Sequence, residues 1–166
     1  PNTRNSSSIT VLMLACKSGN VPTLKILIKN GALLNLKDKF GKSALVYCVN
    51  KDQIEATEFL LIHQPDVDSL DKFEWTPLMW AVKKDYIEMI KLLVKHKANI
   101  NHKDDEGIPI IQYAVENESV EVVKFLIEKG VDINVTDQYG LSPLVYALKT
   151  KNKAIVDLIR SAGGEY

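Results

Sequence analysis

The chain has no excess of positive charge and almost no arginine. Its 21 basic residues are balanced by 21 acidic residues, which gives a formal net charge of zero at pH 7. Arg4 and Arg160 are its two arginines. Arginine is the side chain that forks onto phosphate and guanine, and a basic surface is the usual footprint of a nucleic-acid-binding protein. The composition therefore argues against a nucleic acid as the partner.

Cysteine is also scarce. Cys16 and Cys48 are the two cysteines among 166 residues, and both fall in or beside a column of small residues. Because no framework of spaced cysteines exists, thiols that pack as small apolar groups are favoured over a disulfide or a nucleophile. A reducing, intracellular location is therefore expected, either cytoplasmic or nuclear. Arg4 followed by the apolar segment 9–16 is similar to a secretion signal, but the segment is short and keeps the phase of the repeat described below.

Long apolar runs and catalytic motifs are missing too. No stretch approaches the length needed to span a bilayer, so membrane insertion is not expected. The sequence has no glycine-rich phosphate loop and no serine or cysteine with an orienting histidine. His63 and His96 are predicted to lie about 10 Å apart on neighbouring packed helices, too far to share a metal ion. The acidic residues 104–106 are interpreted as an acidic run in a turn rather than a catalytic pair, because no buried partner is evident that would shift a pKa. We therefore expect no catalytic activity, no metal and no cofactor.

What the chain does contain is a unit of 33 residues written five times. Large and small apolar residues recur in fixed columns through all five copies, without one insertion. A constant period of this length is typical of stacked supersecondary units, none of which can bury its apolar face alone. The anchor column is Thr10, Ser43, Thr76, Pro109 and Ser142; the large column is Leu12, Leu45, Leu78, Ile111 and Leu144; the small column is Ala15, Cys48, Ala81, Ala114 and Ala147.

Each unit is predicted to contain two helices and an extended arm. In the third copy, Thr76 caps a first helix that has Pro77 at its first position, and apolar residues at helical spacing continue to Val82. A second apolar set from Ile87 to Val94 predicts a second helix, antiparallel to the first because the connection is short. The arm then turns back at a glycine, and three copies hold it as Gly41, Gly107 and Gly140.

The motifs of this unit resemble those of ankyrin repeats, which open with TPLHxA and close with GAxxN. Residues 76–81 (TPLMWA) and 142–147 (SPLVYA) are similar to the opening, and residues 31–35 (GALLN) and 130–134 (GVDIN) to the closing. The resemblance implies an all-α repeat solenoid of five stacked helix-turn-helix repeats of 33 residues with β-hairpin-like loops. The expected repeats are about 9–36, 37–69, 70–102, 103–135 and 136–166, and residues 1–8 are expected to be a polar leader or truncated linker.

Three departures from the family pattern carry predictions. In the family, the opening histidine ties neighbouring turns together by hydrogen bonds. That histidine is absent here, so this hydrogen-bond network lacks its usual member. The glycine that ends the first helix survives only as Gly19. If the other copies keep a left-handed backbone there, each non-glycine residue costs about 1 kcal/mol. Glu74 replaces the turn glycine in the third copy, and its turn is predicted to be the most strained of the five. Residues 2–8 lack that glycine, so the first repeat is expected to begin without a proper hairpin.

Candidate binding residues lie on the turn tips and on the first helices. Phe73 with Trp75 is favoured as a binding pair, because large aromatics are the usual anchors of interfaces; the alternative is that each tip packs onto its neighbour. Trp80 and Tyr113 on the first helices either contact a partner or wedge between neighbouring helices. Nearby lysines give a basic bias, which would suit a partner with acidic and aromatic residues. The candidate partner-binding residues are Phe40, Lys42, Lys51, Phe73, Trp75, Trp80, Lys83, Lys84, Ile108, Tyr113, Tyr139 and Leu141.

These observations predict a non-catalytic interaction module, monomeric in isolation, that binds a protein or peptide through its hairpin tips and inner-helix face. The alternative is a regulatory or substrate-recruiting arm of a larger enzyme or channel whose working domain lies outside this chain. A third hypothesis comes from the resemblance. Residues 126–134 (LIEKGVDIN) are similar to the pattern that asparaginyl hydroxylases accept in ankyrin-like repeats. Asn134 is therefore a candidate modification site, with Asn35 and Asn101 weaker; the competing interpretation is that a turn asparagine bonds local backbone.

Overall fold

Ten short α-helices follow one another along the chain, and the computed structural model describes all 166 residues. The hairpin-like arms between them form isolated β-bridges rather than strands. None of the helices has both the length and the apolar character needed to cross a bilayer. The helices are α1 Val11–Ser18, α2 Val21–Lys29, α3 Ala44–Asn50, α4 Ile54–Leu61, α5 Pro77–Lys83, α6 Ile87–Lys95, α7 Ile110–Glu116, α8 Val120–Glu128, α9 Pro143–Thr150 and α10 Lys153–Ser161.

The helices pack in two layers. The odd-numbered helices contact one another in sequence from α1 to α9, and each packs against the even-numbered helix that follows it. The predicted all-α repeat fold is thus confirmed. In the third copy, Thr76 accepts a hydrogen bond from the backbone N–H of Met79 at 3.2 Å and caps α5, which begins at Pro77 as predicted.

One continuous core of 36 buried residues runs through the stack. The large column at Leu12 and its equivalents is at most 2% exposed, and the small column at Ala15 and its equivalents is buried in every copy. Cys16 and Cys48 are free and fully buried within this core. A hydrogen bond with the Cys48 thiol, together with burial, raises the pKa of Cys16 far above its usual range, so this thiol stays protonated.

Left-handed backbone occurs in three columns of every copy. One column ends the first helix, one ends the second helix, and one forms the hairpin turn. Eight of these positions are not glycine, and each such residue costs about 1 kcal/mol relative to glycine. The four non-glycine residues that end a first helix keep positive φ, as the sequence suggested. The eight residues are Ser8, Asp52, Gln64, Glu74, Asp85, Lys97, Glu118 and Lys151.

The first repeat does begin with a hairpin, so the prediction that it lacks one is wrong. Arg4 and Thr10 form an antiparallel bridge, as Lys37 and Ser43 do in the next copy. Ser8 takes the turn-glycine position with φ of 60°, so Glu74 is not alone in carrying strain there. The stretch 1–8, expected to be a leader or linker, therefore contains the arm of the first repeat.

An asparagine or aspartate column links each closing loop to the next. Its side-chain oxygen accepts the backbone N–H of the residue 31 positions later, at 2.8–2.9 Å. Asn2, near the start of the chain, already makes this bond to Leu33. The turn asparagine thus bonds the neighbouring loop rather than its own. The column is Asn2, Asn35, Asp68, Asn101 and Asn134.

Close stacking of the hairpins leads to a stability prediction at Gly41. A Cβ atom there would lie 2.9 Å from the backbone nitrogen of Lys72, whereas a Cβ at Gly140 meets nothing within 4 Å. Both glycines have positive φ, of 77° and 74°. Gly41→Ala should therefore lower the free energy of unfolding by about 1–3 kcal/mol more than Gly140→Ala does. Urea unfolding followed by circular dichroism measures both, and equal losses would mean that the neighbouring hairpin moves aside.

Candidate interaction groove

A groove runs between the hairpin arms and the odd-numbered helices, and it contains two clefts of about 290 Å³ each. We call them the basic cleft and the aromatic cleft. The basic cleft is lined by Lys17, Asp38, Phe40, Lys42, Tyr47, Asn50 and Lys51. The aromatic cleft is lined by Phe73, Trp75, Trp80, Asp104, Asp105, Glu106 and Tyr113.

A buried aspartate organises each arm from the second copy onward. Its Oδ1 accepts the backbone N–H groups two and four residues later, at 2.8–3.1 Å, which closes the hairpin. These carboxylates are at most 8% exposed. A buried charge is tolerated only when its hydrogen-bonding capacity is met, so each aspartate fixes the shape of its arm. The column is Asp38, Asp71, Asp104 and Asp137.

The second carboxylate oxygen ties the arm to the following helix. Oδ2 of each aspartate accepts a hydrogen bond from the aromatic side chain nine residues later, at 2.5–2.9 Å. The residue directly after the missing histidine thus supplies the hydrogen bond between the helix and the arm. The first copy has neither the aspartate nor the aromatic residue, because Asn5 stands in the aspartate column and Leu14 in the aromatic column. The donors are Tyr47, Trp80, Tyr113 and Tyr146.

Trp75 joins two neighbouring copies. Its indole N–H donates to Oδ2 of Asp104 at 3.1 Å, on the next arm. Its ring lies 4.9 Å from the rings of both Trp80 and Tyr113, tilted by 56° in each case. Tilted contacts at this separation are favourable for aromatic pairs. The three aromatics therefore both hold the stack together and form a wall of the aromatic cleft.

Most of the candidate lysines contact aromatic rings of the protein itself. The Lys42 ammonium lies 4.1 Å from the ring centre of Trp80, and that of Lys83 lies 4.8 Å from the ring centre of Tyr113. Lys83 also lies 3.9 Å from the Glu116 carboxylate. Lys84 lies at a longer 6.0 Å from the ring of Tyr86 on the next helix. Of the candidate lysines, Lys42 and Lys51 line the basic cleft.

The apolar tip residues divide into two groups. Phe40 and Phe73 are 60% and 57% exposed, and each lines one cleft. Tyr139 is exposed but lines neither cleft. Ile108 and Leu141 are half-buried and also lie outside both clefts. Lys83 and Lys84 also lie outside both clefts, although Lys83 contacts Tyr113.

Seven of the twelve candidate residues line the two clefts. Three of them line the basic cleft and four line the aromatic cleft; the other five lie outside both. The seven residues are Phe40, Lys42 and Lys51 in the basic cleft, and Phe73, Trp75, Trp80 and Tyr113 in the aromatic cleft.

Burial and hydrogen bonding to the aspartates raise the pKa values of the groove tyrosines. Burial, together with the bond to Asp38, raises the pKa of Tyr47 to about 12. Burial and the bond to Asp104 raise the pKa of Tyr113 still further. Burial alone would raise the pKa of Asp137, but hydrogen bonds from Tyr146 and two backbone amides outweigh it and hold that pKa below its usual range. The Asp137 carboxylate therefore stays charged, and the phenols of Tyr47 and Tyr113 stay neutral, near pH 7.

The acidic side of the aromatic cleft was not predicted. Asp104, Asp105 and Glu106 lie in the turn that the sequence predicts, but they also line the cleft opposite aromatic residues of the preceding arm. The sequence does hold a signal for Asp104. In four copies an aspartate stands nine residues before an aromatic residue, and in the first copy both the aspartate and the aromatic residue are missing. Asp105 and Glu106 carry no such signal, since their neighbours come from another copy.

The candidate modification site, Asn134, is engaged in the closing-loop bonds. Its amide nitrogen donates to the Gly163 carbonyl at 3.1 Å, and its side-chain oxygen accepts the Glu165 N–H at 2.8 Å. Its hydroxylation stays a prediction.

The stacked helix pairs and hairpin arms define a helical repeat protein with an open groove. The family model described as ankyrin repeats matches three overlapping segments, residues 1–71, 45–137 and 101–166, which together cover the whole chain. The chain therefore belongs to the ankyrin-repeat family. Such repeats are generally protein–protein interaction modules and are typically non-catalytic. A search of curated proteins found no significant match to this chain.

The aspartate–tyrosine bond leads to a prediction about alkaline pH. Tyr47→Phe leaves Asp38 without its phenol donor and should lower the free energy of unfolding by about 1 kcal/mol at pH 7. Because the pKa of Tyr47 is raised, this stabilisation is fully present below the ordinary tyrosine pKa of about 10. It is lost as the pH rises through about 12. Urea unfolding across this pH range should therefore show the difference between wild type and variant shrinking.

Tyr139→Phe is the matched control, since the Tyr139 side chain is 76% exposed. It should leave stability unchanged at both ends of the pH range. A Tyr47→Phe variant as stable as wild type at pH 7 would contradict a stabilising role for this bond.

Proposed function

We propose that the groove binds a segment of another protein, without catalysis, and that the two clefts receive its side chains. One observation carries the proposal: Phe40 and Phe73, equivalent residues of adjacent copies, remain more than half exposed while each lines a cleft. Large apolar side chains that a fold leaves uncovered beside a concavity are typical of contact surfaces. Their aromatic type is also the one that most often anchors interfaces.

The arms that carry these residues are tied to one another. The backbone N–H of Lys72 donates to the Phe40 carbonyl at 3.0 Å, and that of Asp105 donates to the Phe73 carbonyl at 3.3 Å. Together with the aspartate bonds, these contacts form the groove before any partner arrives. A preformed surface loses little conformational freedom on binding, which favours affinity.

Other exposed apolar residues lack this setting. Ile26 and Ile62 are 64% and 61% exposed, yet neither lines a cleft. Two further clefts, which lie on the even-numbered helices, are lined mostly by charged residues. There Lys91 already pairs with Glu88 and Glu121, at 2.9 and 3.4 Å. The groove is therefore the better candidate for the contact surface.

The two buried free thiols support an intracellular location for this interaction, because a reducing compartment keeps such thiols unpaired. We also propose that the isolated chain is a monomer, with the groove open to its partner.

Phe73→Ala tests the proposed function. Peptides of 12 residues would be selected on the full chain from a random display library, and their affinities measured by fluorescence polarisation. If Phe73 is an anchor, its loss should weaken binding by about 30-fold, which corresponds to about 2 kcal/mol. Trp75 is left unchanged, because its indole bonds to Asp104 and its removal would disturb the fold.

Ile62→Ala is the matched control, since it removes an equally exposed apolar side chain outside the groove. It should bind the selected peptides as wild type does, and circular dichroism should show both variants folded. Equal affinity of the two variants would remove Phe73 from the contact surface.

A further inference from the structure

We infer that the aromatic cleft receives an arginine of the partner and that the basic cleft receives an acidic side chain of the same extended segment. This inference rests on the proposed function and specifies the chemistry of the segment that the groove binds. It follows from the opposite charges of the two clefts, from the aromatic rings of one of them, and from their separation along the stack.

The aromatic cleft combines ring faces with carboxylates that form no ion pair. Three carboxylates line it, those of Asp104, Asp105 and Glu106, and no lysine or arginine does. Asp104 is bonded by neutral donors, namely two backbone amides, an indole and a phenol, and no lysine or arginine pairs with it. Asp105 and Glu106 are exposed and take part in none of the protein's ion pairs.

A guanidinium group matches this lining better than an ammonium group does. It is planar, so it can stack on the ring of Trp75 or Trp80 while its N–H groups donate to the carboxylates. The rings already attract cations of the protein itself, because Lys42 and Lys83 lie over Trp80 and Tyr113. Neither lysine lines the aromatic cleft, so the cleft remains open to a cation from outside.

The basic cleft has the opposite character. Lys17, Lys42 and Lys51 line it together with a single carboxylate, Asp38. The Asp38 oxygens already accept two backbone N–H groups and the Tyr47 hydroxyl. Lys17 and Lys51 form no ion pair and are exposed. An aspartate or glutamate side chain of the partner therefore fits this cleft by charge.

The spacing of the clefts sets the spacing of the two partner residues. The basic cleft lies at α1 and α3, and the aromatic cleft lies at α5 and α7, two helices further along the stack. Packed helices are about 10 Å apart, so the centres of the clefts are about 20 Å apart, although their rims meet where Lys42 lies over Trp80. An extended chain rises by about 3.3 Å per residue, so this distance corresponds to about six residues.

Selection from the random 12-residue library, followed by measurement of the best binder, tests the inference. The selected peptides should be enriched in an arginine and an acidic residue about six positions apart. Replacing that arginine by citrulline, which keeps the shape and removes the charge, should weaken binding about tenfold or more. Lysine in its place should give an intermediate affinity. Trp75 and Trp80 are the chain's two tryptophans, so a change in tryptophan fluorescence reports occupation of this cleft.

Two charge-neutralised variants of the full chain assign each preference to its cleft. Asp105→Asn/Glu106→Gln should lose the preference for arginine over citrulline and keep the acidic preference. Lys17→Gln/Lys51→Gln should do the reverse. All four residues are exposed, so both variants are expected to fold, which circular dichroism checks.

The inference and the proposed function fail in distinguishable ways. If the selected peptides depend on Phe73 but bind equally well with arginine or citrulline, the inference is overturned and the groove remains the contact surface. If no peptide depends on Phe73, both are overturned.

Discussion

The buried aspartate of each arm is the constraint on which the groove depends. Its carboxylate is almost wholly shielded from water, so its oxygens must be satisfied by donors that the fold holds in place. Two donors are backbone amides of the arm itself, and the third is an aromatic side chain of the following helix. One side chain therefore sets the shape of the arm and its distance from the helix. The width of the groove follows from both.

This arrangement separates the residues that build the groove from those that are free to bind. Trp75 and Trp80 use their indole N–H groups on aspartates, so only their ring faces remain for a partner. Phe73, Asp105 and Glu106 have no comparable task in their side chains and stand exposed around the same cleft. A substitution in the first group changes fold and binding together. A substitution at Phe73, Asp105 or Glu106 changes binding alone, so these residues are the ones to substitute in binding experiments.

The repeat made most of the fold predictable, and its interruptions mark where prediction stopped. Constant columns located α5 and α6, because apolar spacing and the Thr76–Pro77 start are local signals. The first arm was missed because a serine, rather than a glycine, takes its positive φ, and residue type alone does not show that strain is being accepted. The acidic side of the aromatic cleft was missed for another reason. Asp105 and Glu106 meet Phe73 and Trp75 only after two copies stack, and no local pattern records that contact.

The arm that carries Phe73 and Trp75 is strained, yet its neighbour holds it firmly. Glu74 adopts φ of 55° at a turn where three copies have glycine. His102, which directly precedes the following arm, donates from Nε2 to the Glu74 carbonyl at 2.7 Å. The Asp105 amide bonds to the Phe73 carbonyl, and the Trp75 indole bonds to Asp104. Three hydrogen bonds thus join the two arms on either side of the aromatic cleft. Because these contacts offset the strain of the turn, the cleft is held in one shape before binding, and a site of fixed shape discriminates between side chains better than one that must be ordered by its ligand.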